Sequence, residues 1–402
     1  MRVLLVSGKF GIEVLENLRK TFPEIFPSNV ELDYVIVTSG IVRFVPNKQV
    51  QEQVKRKLRE GKYDYIIAPY GLIIDIDEPS VIYLKHVGDV PALLNYLVSC
   101  SDVPNNVKDL YISMRPFLEK IENFVIENSH RVRKIRARIG RRWKISVNGL
   151  PTKIVAEIID STRRDVEECL KQAYNYVEEG ADFIDVGCVA GDPRPDIVRR
   201  IVRELVDKLP NNVCVSIDSL VPSEIRAGIE AGADLVLSVM KGSLDKLDNV
   251  DLRDVGLVII PDNPYMSTND LVKYFADMCN KVEKRGAVPI IDPLLSPPLM
   301  GFVDSLCRYM NMREYFKDTP MLMGIGNVTE LIDADSSGVN ALLAVACTEL
   351  EIDLVLTTEA SVKTIGSVSE LRRAFHMTTA ARLLSKYPKD MSINVLICKR
   401  KW

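Results

Sequence analysis

The sequence is poor in histidine, and its cysteines form no recognised pairing pattern. It contains three histidines, His86, His130 and His376, and their spacing places no two imidazoles on one face of a helix. No two cysteines have the C-x-x-C spacing of zinc and redox motifs. These absences argue against a structural zinc site and against a Ser-His-Asp hydrolase. The eight cysteines of this 402-residue chain are interpreted as small buried hydrophobes in a reducing compartment.

Long hydrophobic runs and a large net charge are also lacking. No apolar stretch approaches the roughly 18 residues of a membrane-spanning helix, and the apolar run after Met1 is too short for a signal peptide. The net charge of −3 and the pI near 5.9 argue against general affinity for nucleic acid. With 47% apolar and 27% charged residues, the chain has the composition of a folded globular protein. We expect a cytoplasmic protein without membrane or nucleic-acid partners.

Residues 1–145 alternate short apolar runs with amphipathic stretches. This alternation is typical of a parallel sheet that carries helices on its faces. It predicts a Rossmann-like, doubly wound α/β domain over residues 1–145. The predicted strands are Val3–Ser7, Leu32–Thr38 and Tyr65–Tyr70, and the predicted helices include Ile12–Lys20 and Val50–Glu60.

The segment His130–Lys144 shows the sharpest change of composition in the chain, because it contains eight lysines and arginines. We interpret it as a solvated, partly helical linker at the end of the first domain. Binding to an anionic partner or ligand is the alternative.

From about Thr152 the alternation of strand and helix becomes regular. Eight strand–helix units in roughly 240 residues is the size and number of a (β/α)8 barrel, so we predict a TIM barrel over residues 146–402. Two helices end in glycine, at Gly180 and Gly232, as expected for left-handed helix caps. The predicted strands are Lys153–Asp160, Asp182–Val186, Asn212–Asp218, Asp234–Met240, Leu257–Pro261, Val288–Asp292, Pro320–Ile325 and Asp353–Thr358.

Acidic and amide side chains follow most of these strands, at the barrel end where catalysis takes place. Any one of them is ordinarily a loop or helix cap, but together they favour a ligand rich in N–H donors, or a metal. A divalent cation prefers dense oxygen motifs that this sequence lacks, so no metal site is predicted. A pterin ring offers two adjacent N–H donors that a carboxylate can accept as a pair. The residues concerned are Glu157, Asp160, Asp185, Asp218, Asp262, Asn263, Asp292, Asn327 and Glu359.

Three segments in barrel order resemble one superfamily. They are Gly180–Gly187, Val215–Ser219 and Ile291–Pro297. They resemble the second-, third- and sixth-strand motifs of the pterin-binding barrels, which include dihydropteroate synthase and the methyltetrahydrofolate–corrinoid methyltransferases. The resemblance covers about Lys153 to Arg373, and it implies that Asp218 and Asp292 hold the pterin head.

Details of the first and seventh strands separate the two branches. Glu157 matches the glutamate of the methyltransferase first-strand motif, and Asn327 matches an asparagine that lies near pterin N5 in that branch. The synthase lysine, arginine and histidine have no counterpart here. The fourth-strand asparagine of both branches falls on Leu237, with Ser238 beside it. From this resemblance we expect catalytic roles for Asn327, Asp160 and Glu157. We expect pterin binding by Asp218, Asp292, Asp185, Ser238 and Asn327.

Three functions remain open on the sequence. The favoured one is methyl transfer between a methylated reduced pterin, of the tetrahydromethanopterin or folate type, and a corrinoid carried by a separate protein. The second is synthase-like condensation of a dihydropterin methyl diphosphate with an arylamine, which would require either cations such as Arg163, Arg164, Lys241 or Lys363, or a metal such as Mg²⁺, for the departing diphosphate. The third is a non-catalytic pterin carrier or sensor. The N-terminal extension resembles that of archaeal proteins related to dihydropteroate synthase, and a homodimer is an open alternative to a monomer.

Overall fold

A computed structural model describes residues 1–38, 45–100 and 102–396. Its contacts divide these residues into two compact units. The N-terminal unit comprises Met1–Val132 and Thr379–Asn394, and the barrel unit comprises Arg133–Thr378 with Val395 and Leu396. Of the cysteines predicted to be buried, Cys169, Cys214, Cys279 and Cys347 are buried, Cys100 and Cys188 are half-buried, and Cys307 is exposed, which corrects the prediction for that residue. Cys398 lies outside the described residues. In the part of the chain that is described, no helix is both long and apolar enough to cross a membrane.

The N-terminal unit is built on a four-stranded sheet in which every pairing is parallel. Its strands are β1 (Arg2–Ser7), β2 (Glu31–Ile36), β3 (Tyr65–Pro69) and β4 (Ser80–Leu84), in the sheet order β2-β1-β3-β4. Its helices are α1 (Lys9–Thr21), α2 (Asn47–Glu60), α3 (Val90–Ser99), α4 (Val107–Ser113) and α5 (Arg115–Glu127). The predicted parallel α/β fold is confirmed, and β4 adds a fourth strand to the three that were predicted.

The barrel unit begins with an antiparallel hairpin, followed by eight parallel strands that all coincide with predicted ones. The hairpin strands are β5 (Ala137–Ile139) and β6 (Ile145–Val147). The barrel strands are β7 (Lys153–Ile158), β8 (Phe183–Gly187), β9 (Cys214–Asp218), β10 (Leu235–Val239), β11 (Gly256–Ile259), β12 (Val288–Ile291), β13 (Leu322–Gly324) and β14 (Leu354–Thr358). They lie side by side in the order β12-β11-β10-β9-β8-β7-β14-β13, and a parallel bridge between Ile291 and Met321 closes the circle.

Helices follow the strands around the barrel and bury its outer face. They are α6 (Val166–Glu179), α7 (Pro195–Lys208), α8 (Pro222–Ala231), α9 (Lys241–Leu244), α10 (Thr268–Lys284), α11 (Phe302–Tyr315), α12 (Gly326–Thr329), α13 (Ser336–Glu349) and α14 (Ser367–Leu383). As predicted, Gly180 and Gly232 end α6 and α8 in the left-handed conformation, with φ of 102° and 110°.

Acidic residues at the starts of the barrel strands connect neighbouring strands rather than forming a site. The Asp182 carboxylate accepts a 2.9 Å hydrogen bond from Ile154 N, and the Asp234 carboxylate accepts one of 3.3 Å from Val215 N. Asp353, which is fully buried, accepts from Met321 N at 3.0 Å. These carboxylates satisfy backbone donors at the barrel end opposite the catalytic end.

The basic segment is not the solvated linker that we predicted. Ile139 and Val147 of the hairpin are buried in one apolar cluster with residues from inside the barrel, such as Phe183 and Leu354. The Arg136 guanidinium donates to Asp353 at 3.0 Å. The segment stays on the barrel because its cations and backbone N–H groups donate hydrogen bonds to carboxylates at the starts of the strands. The barrel unit therefore begins at Arg133, whereas the sequence placed the domain boundary at 145/146.

Candidate functional site

Three carboxylates from adjacent strands converge at the catalytic end of the barrel. Glu157 on β7, Asp185 on β8 and Asp218 on β9 each present an oxygen within 4.8 Å of the other two. Register explains the convergence, because Glu157 pairs with Asp185 and Gly187 pairs with Asp218 in the parallel ladders. Within the described residues, none of these three carboxylates forms an ion pair with a lysine or arginine. The cluster therefore favours protons, a cation or a ligand that brings N–H donors.

Asp185 is the innermost member of this cluster and is completely buried. Its Oδ1 accepts a 2.6 Å hydrogen bond from the Ser216 hydroxyl, whereas its Oδ2 has no partner. Burial raises the pKa of this carboxyl well above its usual range, and the Asp218 and Glu157 carboxylates raise it further. A buried acceptor without a donor is costly, so the free oxygen indicates that a proton or a ligand donor belongs there.

Among the three clustered carboxyls, Glu157 has a pKa that suits proton exchange near neutral pH. Burial raises its pKa to about 7, with smaller contributions from Asp218 and Asp160. Gly187 provides the space for this side chain, because a Cβ at that position would collide with Glu157 Oε1. Asp160 lies just beyond β7 in a left-handed backbone conformation with φ of 49°. The structure thus places Asp160 and Glu157, two of the three predicted catalytic residues, close enough to interact.

Strand β10 contains a local irregularity at the position where the resembling families have an asparagine. The register between β10 and β11 shifts between Val236 and Val239, and Ser238 adopts φ of 60°. Leu237 packs in the apolar barrel interior. Burial raises the pKa of the Asp218 carboxyl, and a hydrogen bond with Ser238 opposes part of that rise. Bulges of this kind redirect a side chain near functional sites. Ser238, not Leu237, therefore faces the site.

Asp292, the second predicted pterin anchor, is held in a fixed orientation just after β12. Its Oδ1 accepts a 2.8 Å hydrogen bond from Leu294 N and another from the Tyr309 hydroxyl of α11. Burial raises the pKa of Asp292 to about 6, and the Asp218 carboxylate adds to that rise. The two anchors therefore belong to one electrostatic site. Tyr309 was not identified from the sequence, because its helix carries no motif that points to Asp292.

Asn327 lies on the one-turn helix α12 directly after β13. Its side-chain nitrogen donates to Leu295 O at 3.0 Å, which ties the seventh-strand loop to the loop after β12. Asn327 and Glu157 line the same cavity of about 260 Å³, where Thr357 Oγ1 is a further buried polar atom without a partner. The remaining lining residues are Gly324, Gly326, Glu330, Leu331, Leu356 and Thr358.

The other strand-end acids have structural partners instead. Asp262 accepts from Lys241 N at 3.2 Å and from the Tyr274 hydroxyl at 3.0 Å. Glu359 accepts from Val368 N at 3.0 Å, in the first turn of α14. These two residues act as ordinary loop and helix caps. Fewer strand-end residues therefore belong to the site than the sequence analysis named.

The three carboxylates of this site also present oxygens at a spacing that a divalent cation accepts. The sequence analysis placed these three residues at the same barrel end but rejected a cation site, because they are 28 and 33 residues apart along the chain and form no dense oxygen motif. The expectation of no metal site stays a prediction.

Residues 156–286 match the family model described as pterin binding enzyme. The whole chain is 27% identical, over 432 aligned positions, to an uncharacterized protein of Methanocaldococcus jannaschii, 78% of which is covered.

Among solved structures, the chain is similar to the dihydropteroate synthase of Burkholderia cenocepacia complexed with 7,8-dihydropteroate. The identity is 18% and the TM-score 0.49, over 62% of this chain and 97% of that one. A dihydropteroate synthase of Yersinia pestis with a pterine-sulfa conjugate gives 16% identity and a TM-score of 0.48, over 61% and 99%. The family match covers the strands that carry Glu157, Asp185 and Asp218, so the barrel unit is similar to the pterin binding enzymes over residues 156–286.

Proposed function

We propose that the barrel unit binds a reduced pterin and transfers a methyl group from its N5 to a nucleophilic acceptor. The observation that carries the proposal is the convergence of four carboxyl groups, from Glu157, Asp185, Asp218 and Asp292, beside a cavity that also presents Asn327. Pterin edges are rich in N–H donors, and the site is rich in acceptors.

Asp218 and Asp292 are the residues that would hold the pterin head. A carboxylate accepts two parallel N–H bonds from the adjacent amino and ring N–H groups. The hydrogen bonds from Ser238 to Asp218 and from Leu294 N to Asp292 favour the ionised, accepting form of each anchor. The unpartnered Oδ2 of Asp185 would take a further donor from the ring.

Methyl transfer needs a proton at the departing nitrogen. As the acceptor attacks, the bond from the methyl carbon to N5 breaks, its electron pair stays on N5, and N5 takes up a proton. Glu157, with a pKa of about 7, is suited to give that proton at neutral pH. Asn327, on the same cavity, would orient N5 through its amide. The acceptor that we propose is a reduced corrinoid on a separate protein, which would supply the nucleophilic metal.

Condensation of a pterin diphosphate with an arylamine is the second candidate. It requires cations for the departing diphosphate. Among the candidates from the sequence, Arg163 lies 3.7 Å from the Asp192 carboxylate and Lys363 lies 3.1 Å from Asp333. In the described part of the chain, the Arg164 guanidinium hydrogen-bonds only the neutral Gln172 side chain, so condensation stays the second candidate and is separated from methyl transfer by assay.

The proposal is tested by measuring the affinity of the whole protein for methyl-tetrahydromethanopterin and methyl-tetrahydrofolate. We expect Asp218→Asn and Asp292→Asn to weaken binding by about 1.5–3 kcal/mol, because each loses a charged hydrogen-bond pair. Asp262→Asn is the matched control, since Asp262 is also a strand-end acid but is engaged in the scaffold. Absence of binding by the parent protein would contradict the proposal.

Two activity assays distinguish the three candidate functions. Mixing protein, methylated pterin and reduced cobalamin should produce methylcobalt absorbance. Diphosphate release from a dihydropterin methyl diphosphate, an arylamine and Mg²⁺ would favour condensation. Tight binding without turnover in either assay would identify a carrier or sensor.

A further inference from the structure

The N-terminal unit contains a cavity of about 450 Å³ whose lining residues all belong to that unit. It lies at the carboxyl ends of β3 and β4, where Tyr70 and Lys85 follow the strands directly. Open parallel sheets bind their ligands at this edge, and the volume lies in the range of small-molecule sites. The cavity is lined by Tyr70, Lys85, Val107, Lys108, Tyr111, Ile112, Arg115, Leu118, Asp390, Met391, Ser392 and Asn394.

The charge of the lining is positive. Lys85 forms an ion pair of 2.8 Å with Asp390. Lys108 and Arg115 line the same cavity, and within the described ranges neither forms an ion pair. Two positive charges therefore remain uncompensated, and an arginine fork is the preferred partner of a phosphate or carboxylate group.

The remaining walls suit a flat apolar body. Tyr70 leaves half of its surface exposed, and the Tyr111 ring lies 4.8 Å from Lys85 Nζ. Leu118 and Met391 are buried apolar residues of the lining. Aromatic rings stack on such surfaces and add binding free energy beyond area burial.

The wall that comes from the C-terminal segment is held in place before any ligand arrives. Glu122, fully buried on α5, accepts hydrogen bonds from Ser392 N at 3.0 Å and Ile393 N at 3.4 Å. Tyr111 is fixed by a 2.6 Å hydrogen bond to Asp89. Lys108 and Arg115 are exposed at the rim of the cavity, and the fixed wall beside them loses less entropy on binding than a flexible surface would.

We propose that this cavity binds a small organic anion in which a phosphate or carboxylate group is attached to a flat aromatic ring. The charged group pairs with Arg115 and Lys108, and the ring lies against Tyr70 and the apolar floor. This site is separate from the pterin site, so either proposal can fail without the other.

Titration calorimetry of the full chain with phenyl phosphate, benzoate and inorganic phosphate tests the site. We expect saturable binding of an aromatic anion, and the stronger of phenyl phosphate and benzoate identifies the charged group. Arg115→Gln and Lys108→Gln should each weaken that binding about tenfold or more. Tyr70→Leu should weaken the aromatic probe but not inorganic phosphate.

Lys120→Gln is the matched control, because Lys120 is an exposed cation on the same helix as Arg115 but lies outside the cavity. The proposal is overturned if neither aromatic probe shows saturable binding. It is equally overturned if Lys120→Gln weakens binding as much as Arg115→Gln.

Discussion

Lys386 and Asp89 form an ion pair of 2.7 Å although 297 residues separate them in the chain. Both side chains are almost completely buried, and Lys386 Nζ also lies 3.3 Å from Glu122. One cation is thus shared by two carboxylates inside the N-terminal unit. Because buried charges require partners, this contact makes the C-terminal segment an integral part of that unit.

Removing the shared cation should destabilise the N-terminal unit severely. In Lys386→Met, two buried carboxylates lose their counter-charge, and we expect the free energy of unfolding to fall by about 3–5 kcal/mol. Urea denaturation followed by circular dichroism measures this. Lys389→Met is the control, because Lys389 belongs to the same segment but is exposed. A loss no larger than that of the control would show that the triad is not stabilising.

The basic hairpin should contribute to the stability of the barrel rather than to flexibility. Arg136→Met leaves the buried Asp353 carboxylate with Arg313 as its remaining cation, at 3.1 Å. We expect a loss of about 2–3 kcal/mol. Arg138→Met, which removes an exposed arginine from β5, should change the unfolding free energy by less than about 0.5 kcal/mol. Equal effects of the two substitutions would support the linker interpretation.

Stability should depend on pH through Glu157. Its folded pKa of about 7 lies above the usual 4.5, so the folded state binds more protons and stability falls as pH rises between these values. Glu157→Gln resembles the protonated form and removes this dependence. We expect the variant to be more stable than the parent by about 1–3 kcal/mol at pH 8, and to lose that advantage near pH 5. Thermal unfolding across this pH range measures the difference, and parallel curves would contradict the assignment.

Ser238 should set the pH range over which the proposed pterin site binds. The Ser238 hydrogen bond opposes the rise of the Asp218 pKa, so its loss raises that pKa further. Because Asp218 must be ionised to accept the pterin N–H groups, the lowest pH at which the pterin binds, its acid limit, then shifts to higher pH. Ser238→Gly removes the hydroxyl without strain, because glycine readily adopts the φ of 60° at this position. Ser238→Asn keeps a donor and tolerates the same backbone.

Pterin affinity measured from pH 4 to 8 gives the profile of each variant. We expect the acid limit of Ser238→Gly to move upward and that of Ser238→Asn to stay near the parent. If the two profiles coincide, Ser238 does not position Asp218.

The sequence by itself determined the features that repeat locally. Strand and helix periodicity, with glycine caps at Gly180 and Gly232, predicted the eight-stranded barrel and the parallel N-terminal sheet. Because parallel strands bring their carboxyl ends to one edge, the predicted site residues Glu157, Asp185 and Asp218 could be expected to meet. Local pattern carries this information since each element is formed by residues that are neighbours in the chain.

Only the tertiary structure decided which contacts form between distant residues. It turned the basic segment into a hairpin on the barrel, gave Asp292 its Tyr309 partner, and redirected Ser238 through the irregularity in β10. It also joined Lys386 to Asp89. These features depend on which buried charge or hydrogen-bonding group finds a partner once the chain is packed. The periodicity of a sequence does not encode such pairings, because the partners lie tens to hundreds of residues away.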